Sequence, residues 1–215
     1  NFRQFDSKTP GHPEYGHTAG VDASTGPLGH GFAMGVGFAV AEAMLAAKYN
    51  KPEFTVIDHY TYGLTSDGDL MEGVASEAAS LAGTLGLGEL IYLYDDNKIT
   101  IEGSTDIAFT EDVEARFKAY GWQVLRVADS EDIEAMEAAV KEAQADTEHP
   151  SLIIVRTHIG YGSPKQDSAS CHGEPLGAEA LALTKEKAGW PVGQPFYVPL
   201  TVSQYFKNKI EDCEG

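Results

Sequence analysis

Apolar positions recur at helical spacing early in the chain. Phe32, Val36, Val40 and Met44 form one stripe, and Gly31, Gly35, Ala39 and Ala43 form a neighbouring stripe of small residues. The pattern predicts a helix over about 29–49. Its small face lets another backbone come close, as at a domain or subunit contact. Small residues four apart also occur in membrane helices, but Glu42 and Lys48 argue against that here. The Asn50-Lys51-Pro52 break then leads into "HYTYGLTSDG", an extended run that ends in an acidic turn. An alanine-rich helix is predicted from Leu70 to about Leu85. "ELIYLYDDN" reads as a strand with a polar end at Asp95, Asp96 and Asn97. "TEDVEARFKAYG" reads as a helix with Thr110 as N-cap, "WQVLRV" as a strand, and "SEDIEAMEAAVKEAQA" as an amphipathic helix capped by Ser130. "SLIIVRT" is a strongly apolar strand. The run "GYGSPKQDSASCHGEPLG" is a long loop, followed by a helix over about 178–187 and a short one over about 202–210. Residues 1–28 are rich in glycine and proline. They read as an ordered loop that Phe2, Phe5 and Tyr15 can anchor.

Strand and helix alternate, and the strands are continuous apolar runs. That combination implies an α/β fold: a parallel β-sheet flanked by helices on both faces. A chain of 215 residues is long enough for one large domain with a real core.

Charge narrows the chemistry. The net charge of −18 repels phosphate backbones, so nucleic acid is not an expected partner. An anionic ligand needs local correction by a metal, amide dipoles or cations. No run of about 18 uninterrupted apolar residues occurs, so no membrane partner is expected. The two cysteines, Cys171 and Cys213, have no metal-knuckle or disulfide-framework spacing. They suit free thiols in a reducing cytoplasm. The chain opens on Asn1 and a polar stretch, which suggests a portion of something longer.

The acidic turn "SDGDLMEG" ends one strand, and Asn97 ends the next about thirty residues on, the spacing of a strand–helix–strand unit. In open parallel sheets ligands sit beyond the carboxyl ends of the strands. A carboxylate and a carboxamide oxygen there, with phosphate oxygens, suit Mg2+, Mn2+ or Ca2+. Gly68 lets a phosphate approach the backbone, and the helix after it aims N-terminal amides at the same place. The alternative is plain: Asp-Gly turns are common, and Asp95-Asp96-Asn97 can be an ordinary strand exit.

The succession "GHPE", "TGPLGHG", "SDGDLMEGVASEAASLAGTLGL", "LYDDNKITIEG", "FKAYGW", "THIGYGSP" and "CHGEPLG" resembles transketolase. More narrowly, it resembles the thiamine diphosphate-binding fold of the domain that holds that cofactor's diphosphate. The match runs from about Asn1 to Trp190. The resemblance implies a diphosphate-binding α/β domain over 1–190, lacking its N-terminal part. Residues 191–215 would be a C-terminal helix and the start of a linker to a pyrimidine-binding domain. It implies that Asp67 and Asn97 ligate a metal through side chains and Ile99 through its carbonyl. Gly68 and Asn97 would contact the diphosphate. Gly26, Pro27 and Leu28 would line the cofactor's ring region, and Ile101 would pack on the thiazolium side. Glu72 and Glu77 resemble acidic residues near the subunit contact. His12 resembles the residue that hydrogen-bonds the donor ketose, and His172 the one that reaches both diphosphate and substrate. The other histidines are read as solvated or structural. Three departures stand out: Ser66 replaces the first glycine of the metal motif, His30 replaces a glutamine, and Asp167 stands where glycine is frequent.

The activity implied is transfer of a two-carbon ketol unit from a ketose phosphate to an aldose phosphate, as in the pentose phosphate pathway. It would require thiamine diphosphate and Mg2+ (or Ca2+ or Mn2+). The setting implied is a cytoplasmic homodimer, or a partner chain that carries the pyrimidine-binding domain. This chain would carry about half the site and be inactive alone. A ketol transferase like dihydroxyacetone synthase, a non-catalytic cofactor-binding or assembly subunit, and a phosphatase-like metal hydrolase are the other readings.

Overall fold

The computed structural model describes residues 1–214, with side chains described through residue 211. Cys213 and Gly215 therefore lie outside the described side chains. The chain packs as two compact units, residues 1–158 and 159–215. That division falls earlier than the one at residue 190 expected from the sequence.

The first unit is built on α1 (His30–Tyr49), β1 (Thr61–Ser66), α2 (Asp67–Met71), α3 (Gly73–Leu85), β2 (Leu90–Asp96), α4 (Val113–Ala119), β3 (Gln123–Val127), α5 (Ile133–Ala145) and β4 (Ser151–Arg156). The four strands form one sheet in the order β1-β2-β4-β3, with every pairing parallel. β2 and β4 are central, and their residues are apolar on both faces because helices cover both. On one face α1, α3 and α4 close over Phe32, Leu70, Tyr92, Phe117, Trp122 and Ile154. On the other, α5 closes over Ile91, Ile153, Val155 and Val127. β1 and β3 are the edge strands, and Leu64 of β1 is 83% exposed.

An aromatic cluster ties the first face together. Tyr92 stacks on Phe32 at 4.3 Å, and Trp122 meets Phe117 edge-on at 5.2 Å. Both polar tips are satisfied: Tyr92 Oη donates to the Phe32 carbonyl at 2.7 Å and Trp122 Nε1 to the Ala79 carbonyl at 2.8 Å. The small stripe of α1 finds its use here. A Cβ at Gly35 would stand 2.0 Å from Tyr92 Oη, so what approaches is a side chain of the chain's own sheet rather than a second backbone. By length and composition α1 is long and apolar enough to cross a membrane, the one such helix among the described residues. It packs on β1, β2 and α3, with Glu42 on its buried face.

Backbone meets backbone at the end of the sheet where the strands begin. A Cβ at Gly83 would lie 1.7 Å from the Tyr120 carbonyl oxygen, and one at Gly88 2.3 Å from the Thr147 carbonyl. No side chain can separate these segments.

Several local expectations are corrected. The helix expected from Leu70 is two helices. Glu72 adopts an extended conformation (φ −75°, ψ 137°) between α2 and α3. α4 is capped by Asp112, whose side chain accepts from the Ala115 N–H, and not by Thr110. α5 is capped by Asp132 in the same way, and not by Ser130. In each case a carboxylate closer to the apolar stripe takes the N–H. Phe2, Phe5 and Tyr15 are exposed, and residues 1–28 are held instead by turns and polar contacts such as His17 Nε2 with the Ser7 carbonyl at 2.9 Å.

The second unit holds α6 (Ser170–Gly173), α7 (Ala178–Lys187) and α8 (Leu200–Glu214). α6 lies inside the expected loop. α8 is longer at both ends than the predicted 202–210. Asp167, at the glycine-like position, has φ 59°, a left-handed conformation that aspartate tolerates better than most residues.

One partly buried acidic pair affects stability. Glu42 of α1 is 7% exposed and lies near Glu89, which precedes β2 and whose Oε2 is buried without a hydrogen-bond partner. Burial, then Glu42, then Asp58 push the Glu89 carboxyl above its ordinary range, and His59 opposes them. The folded chain thus holds this proton more tightly than the unfolded one. Its contribution to stability is fullest below the usual glutamate range and is lost as pH rises through the raised value. Glu89→Gln is expected to raise the melting temperature at pH 7.5 only slightly, because Glu89 is partly exposed and solvent screens its charge. The gain should shrink toward pH 4.5. Equal melting curves for both proteins across that range would refute the effect.

Candidate functional site

The site is built at the carboxyl ends of β1 and β2. Register pairs Ser66 with Asp95, so Asp67 leaves its strand level with Asp96 and one residue short of Asn97. Asp67 is 3% exposed. Its Oδ1 accepts a short hydrogen bond from the Tyr94 hydroxyl. Among the described residues no basic side chain pairs with it. The nearby Lys98 instead pairs with Asp96 Oδ1 at 2.6 Å. Burial pushes the Asp67 carboxyl above its ordinary range. Tyr94 and Lys98 oppose the shift, and Asp96 and Asp95 reinforce it. Burial and Asp67 likewise raise the Tyr94 hydroxyl. A buried carboxylate with this little compensation favours a cation.

Asn97 is buried, with Nδ2 donating to Asp95 Oδ2 at 3.2 Å and Oδ1 accepting from the Ile99 N–H at 2.8 Å. One lone pair of that oxygen remains. Residues 98–104 form a hairpin closed by the Ile99–Ser104 bridge and by Thr100 N–H to the Gly103 carbonyl at 2.6 Å. Ile101 stands in the hairpin between them, 65% exposed. A cleft of about 260 Å3 lies beside these residues, lined by Asp67, Tyr94, Asp96, Lys98, Thr105 and Arg126 among others.

The loop at residues 26–29 is carried to the same place. Asp69 Oδ1 accepts from the Gly29 N–H at 2.8 Å. Leu28 lies over Gly68, 3.3 Å from where a Cβ would stand, and the His12 ring lies 2.8 Å from the Cβ position of Gly26. In the first unit, register sets Asp67 at the strand end neighbouring the one that leads to Asn97 and Ile99, while Leu28 lies on Gly68 and His12 on Gly26. His172 belongs to the second unit, exposed on α6. Glu72 and Glu77 are exposed at the start of α3.

Ser66, unusual at its position, is explained by its backbone. Its φ of −130° and ψ of 176° are extended, which any residue adopts, and its Oγ donates to Asp69 Oδ2 at 3.1 Å. The expected helix dipole is weaker than foreseen. α2 has only 5 residues, so a phosphate would meet first-turn N–H groups and the bare Cα of Gly68 rather than a long macrodipole. Two side chains that contact the turn carry no clear sequence signal. Tyr94 was read only as part of an apolar strand, although Tyr94 and Asp96 share a face by the two-residue period. Asp69 lies within the acidic turn, and nothing local marks its contact with Gly29.

The donor set is hard oxygen on a buried, poorly compensated carboxylate, and it fits a divalent cation. The sequence model of the family described as "Transketolase, thiamine diphosphate binding domain" matches residues 1–215. Transketolase of Geobacillus stearothermophilus is 56% identical over 212 residues, covering 98% of this chain and 32% of that protein. Transketolase of Nostoc sp. is 57% identical over 216 residues, covering 100% of this chain and 32% of that protein. Among solved structures, transketolase from Leishmania mexicana superposes with a TM-score of 0.96 at 46% identity, covering 99% of this chain and 32% of that one. A Pichia stipitis transketolase complex with sedoheptulose 7-phosphate gives 0.95 at 50% identity, covering 98% of this chain and 31% of that one. The chain thus spans about a third of the length of these relatives. On the matched residues and the shared fold, it belongs to the transketolase family, within the thiamine diphosphate binding domain.

Proposed function

We propose that the protein carries the diphosphate- and metal-binding half of a transketolase active site. The observation that carries this reading is the buried, cation-seeking carboxylate of Asp67 beside Asn97, under a loop pinned to the same turn. Asp67 and Asn97 would hold a divalent cation, Mg2+ or alternatively Ca2+ or Mn2+, through side-chain oxygens, and Ile99 through its carbonyl. Gly68 and Asn97 would meet the diphosphate, and Gly26, Pro27, Leu28 and Ile101 the ring region. When bound, thiamine diphosphate supplies a carbon nucleophile for attack on a ketose carbonyl. His12, exposed and seated against Gly26, can donate an N–H to a substrate oxygen that gains charge. His172 would serve the diphosphate and the substrate in the same way.

The substrates in this reading are sugar phosphates, and the reaction is ketol transfer in the pentose phosphate pathway. The sedoheptulose 7-phosphate complex of the Pichia stipitis relative supports the substrate class. A homodimer, or a partner chain bearing the pyrimidine-binding domain, would cover the exposed apolar residues Phe38 and Leu45 of α1 and Val74, Leu81 and Leu85 of α3. A cytoplasmic setting suits the low cysteine content. The test is turnover of xylulose 5-phosphate with ribose 5-phosphate. Residues 1–215 alone are expected to be silent. With the pyrimidine-binding domain, thiamine diphosphate and Mg2+ they should transfer the two-carbon unit, and a chelator should stop them. Transfer that persists without a cation would refute the metal role.

A further inference from the structure

We propose that Asp69 is a positioning residue that latches the ring-contact loop to the diphosphate turn. The inference deepens the reading above and rests on it. Capping explains only half of what this side chain does. Oδ2 accepts from the Ser66 N–H and Oγ, both at 3.1 Å, which is the local, reciprocal half of a capping box on α2. Oδ1 reaches elsewhere, to the Gly29 N–H at 2.8 Å, 40 residues away in sequence. One carboxylate therefore holds two backbone segments at a fixed separation.

The latched segments are those assigned to opposite ends of the cofactor. Residues 26–28 face the ring region, and Gly68 and its neighbours face the diphosphate. Gly29 is the N-cap of α1 with φ 74°, and the His30 N–H bonds the Pro27 carbonyl at 3.1 Å. The loop is thus a tight turn that swings as a piece if its anchor is lost. Leu28 lies on Gly68 and His12 on Gly26, so both would follow it. Hydrogen bonds to a charged acceptor are stronger than neutral ones, and two exits on one rigid carboxylate leave little play between the segments.

The latch contributes to binding of the whole cofactor and not to binding of the diphosphate alone. The experiment compares thiamine diphosphate with inorganic pyrophosphate on the full-length protein in saturating Mg2+, by titration calorimetry. Amide hydrogen exchange at residues 28–31 of the ligand-free protein is followed alongside. Asp69→Ala is expected to weaken thiamine diphosphate about tenfold or more. It should leave pyrophosphate within about twofold and speed exchange of the Gly29 amide. Asp69→Asn keeps an acceptor for Gly29 but turns an amide toward the Ser66 N–H, and should fall between. If Asp69→Ala does not fold, Asp69→Asn is read alone: a selective loss of thiamine diphosphate supports the latch. Equal loss of both ligands, or no loss, overturns it. A native protein that binds pyrophosphate and thiamine diphosphate with no help from Mg2+ overturns the metal-site reading and the latch with it.

Discussion

Asp67→Ala is expected to abolish metal-dependent retention of thiamine diphosphate while leaving the fold intact. The loss should be at least about 100-fold, because even residues that only orient a metal ligand cost 10–100-fold. Asn97→Ala should act in the same direction. The stability of the ligand-free protein should change little, because relief of the buried charge offsets the lost hydrogen bond from Tyr94. Asp67 is buried without an ion pair, and removing such a charge relieves its desolvation. Calorimetric titration of cofactor and cation, with melting curves of the ligand-free proteins, separates the two effects. Cofactor affinity unchanged in Asp67→Ala would show that the ion, if any, binds elsewhere. A site residue whose removal costs affinity and spares stability is the expected mark of function placed on a buried, poorly compensated charge.

Trp122→Ala is expected to destabilise the protein by about 3–5 kcal/mol. Three losses combine. The indole is buried and packs with Phe32, Tyr92 and Phe117. Its Nε1 satisfies the Ala79 carbonyl, which would be left without that donor inside the core. The cavity also opens where α1, α3 and β3 meet, and collapse there is opposed by the close backbone contact at Gly83. Chemical denaturation of the two proteins measures the difference. Trp122→Phe should recover part of it, since it restores the apolar volume but not the N–H. A loss below about 1 kcal/mol for the alanine variant would mean the cluster repacks freely.

Most of the architecture was legible because apolar runs and helical stripes are long-range consequences of burial. β2 and β4 read as continuous apolar strands because both of their faces are covered. Cap positions were less legible. "TEDVEA" and "SEDIEA" each offer several capping residues, and only packing decides that Asp112 and Asp132 take the N–H groups. The break at Glu72 has no proline or paired glycines to announce it, only Gly73. The site was partly legible. Asp67 and Asn97 could be placed at neighbouring strand ends because a strand–helix–strand unit pairs its strands in parallel. The contact between Asp69 and Gly29 could not be read, because a bond across 40 residues leaves no local trace. Asp167 carried a signal that became physical only with its φ of 59°, which explains why glycine suits that position.

The two rims of the sheet are built differently. At one, Gly83 and Gly88 clamp peptide groups directly against Tyr120 and Thr147, with no side chain to yield. At the other, hairpin 98–104 and loop 26–29 hang from a few polar anchors. The sheet of the first unit is thus a plate gripped along one border. A guest at the free border can stiffen it without disturbing the grip, so the entropic toll of occupancy falls on a few loop residues and the rest of the plate stays still.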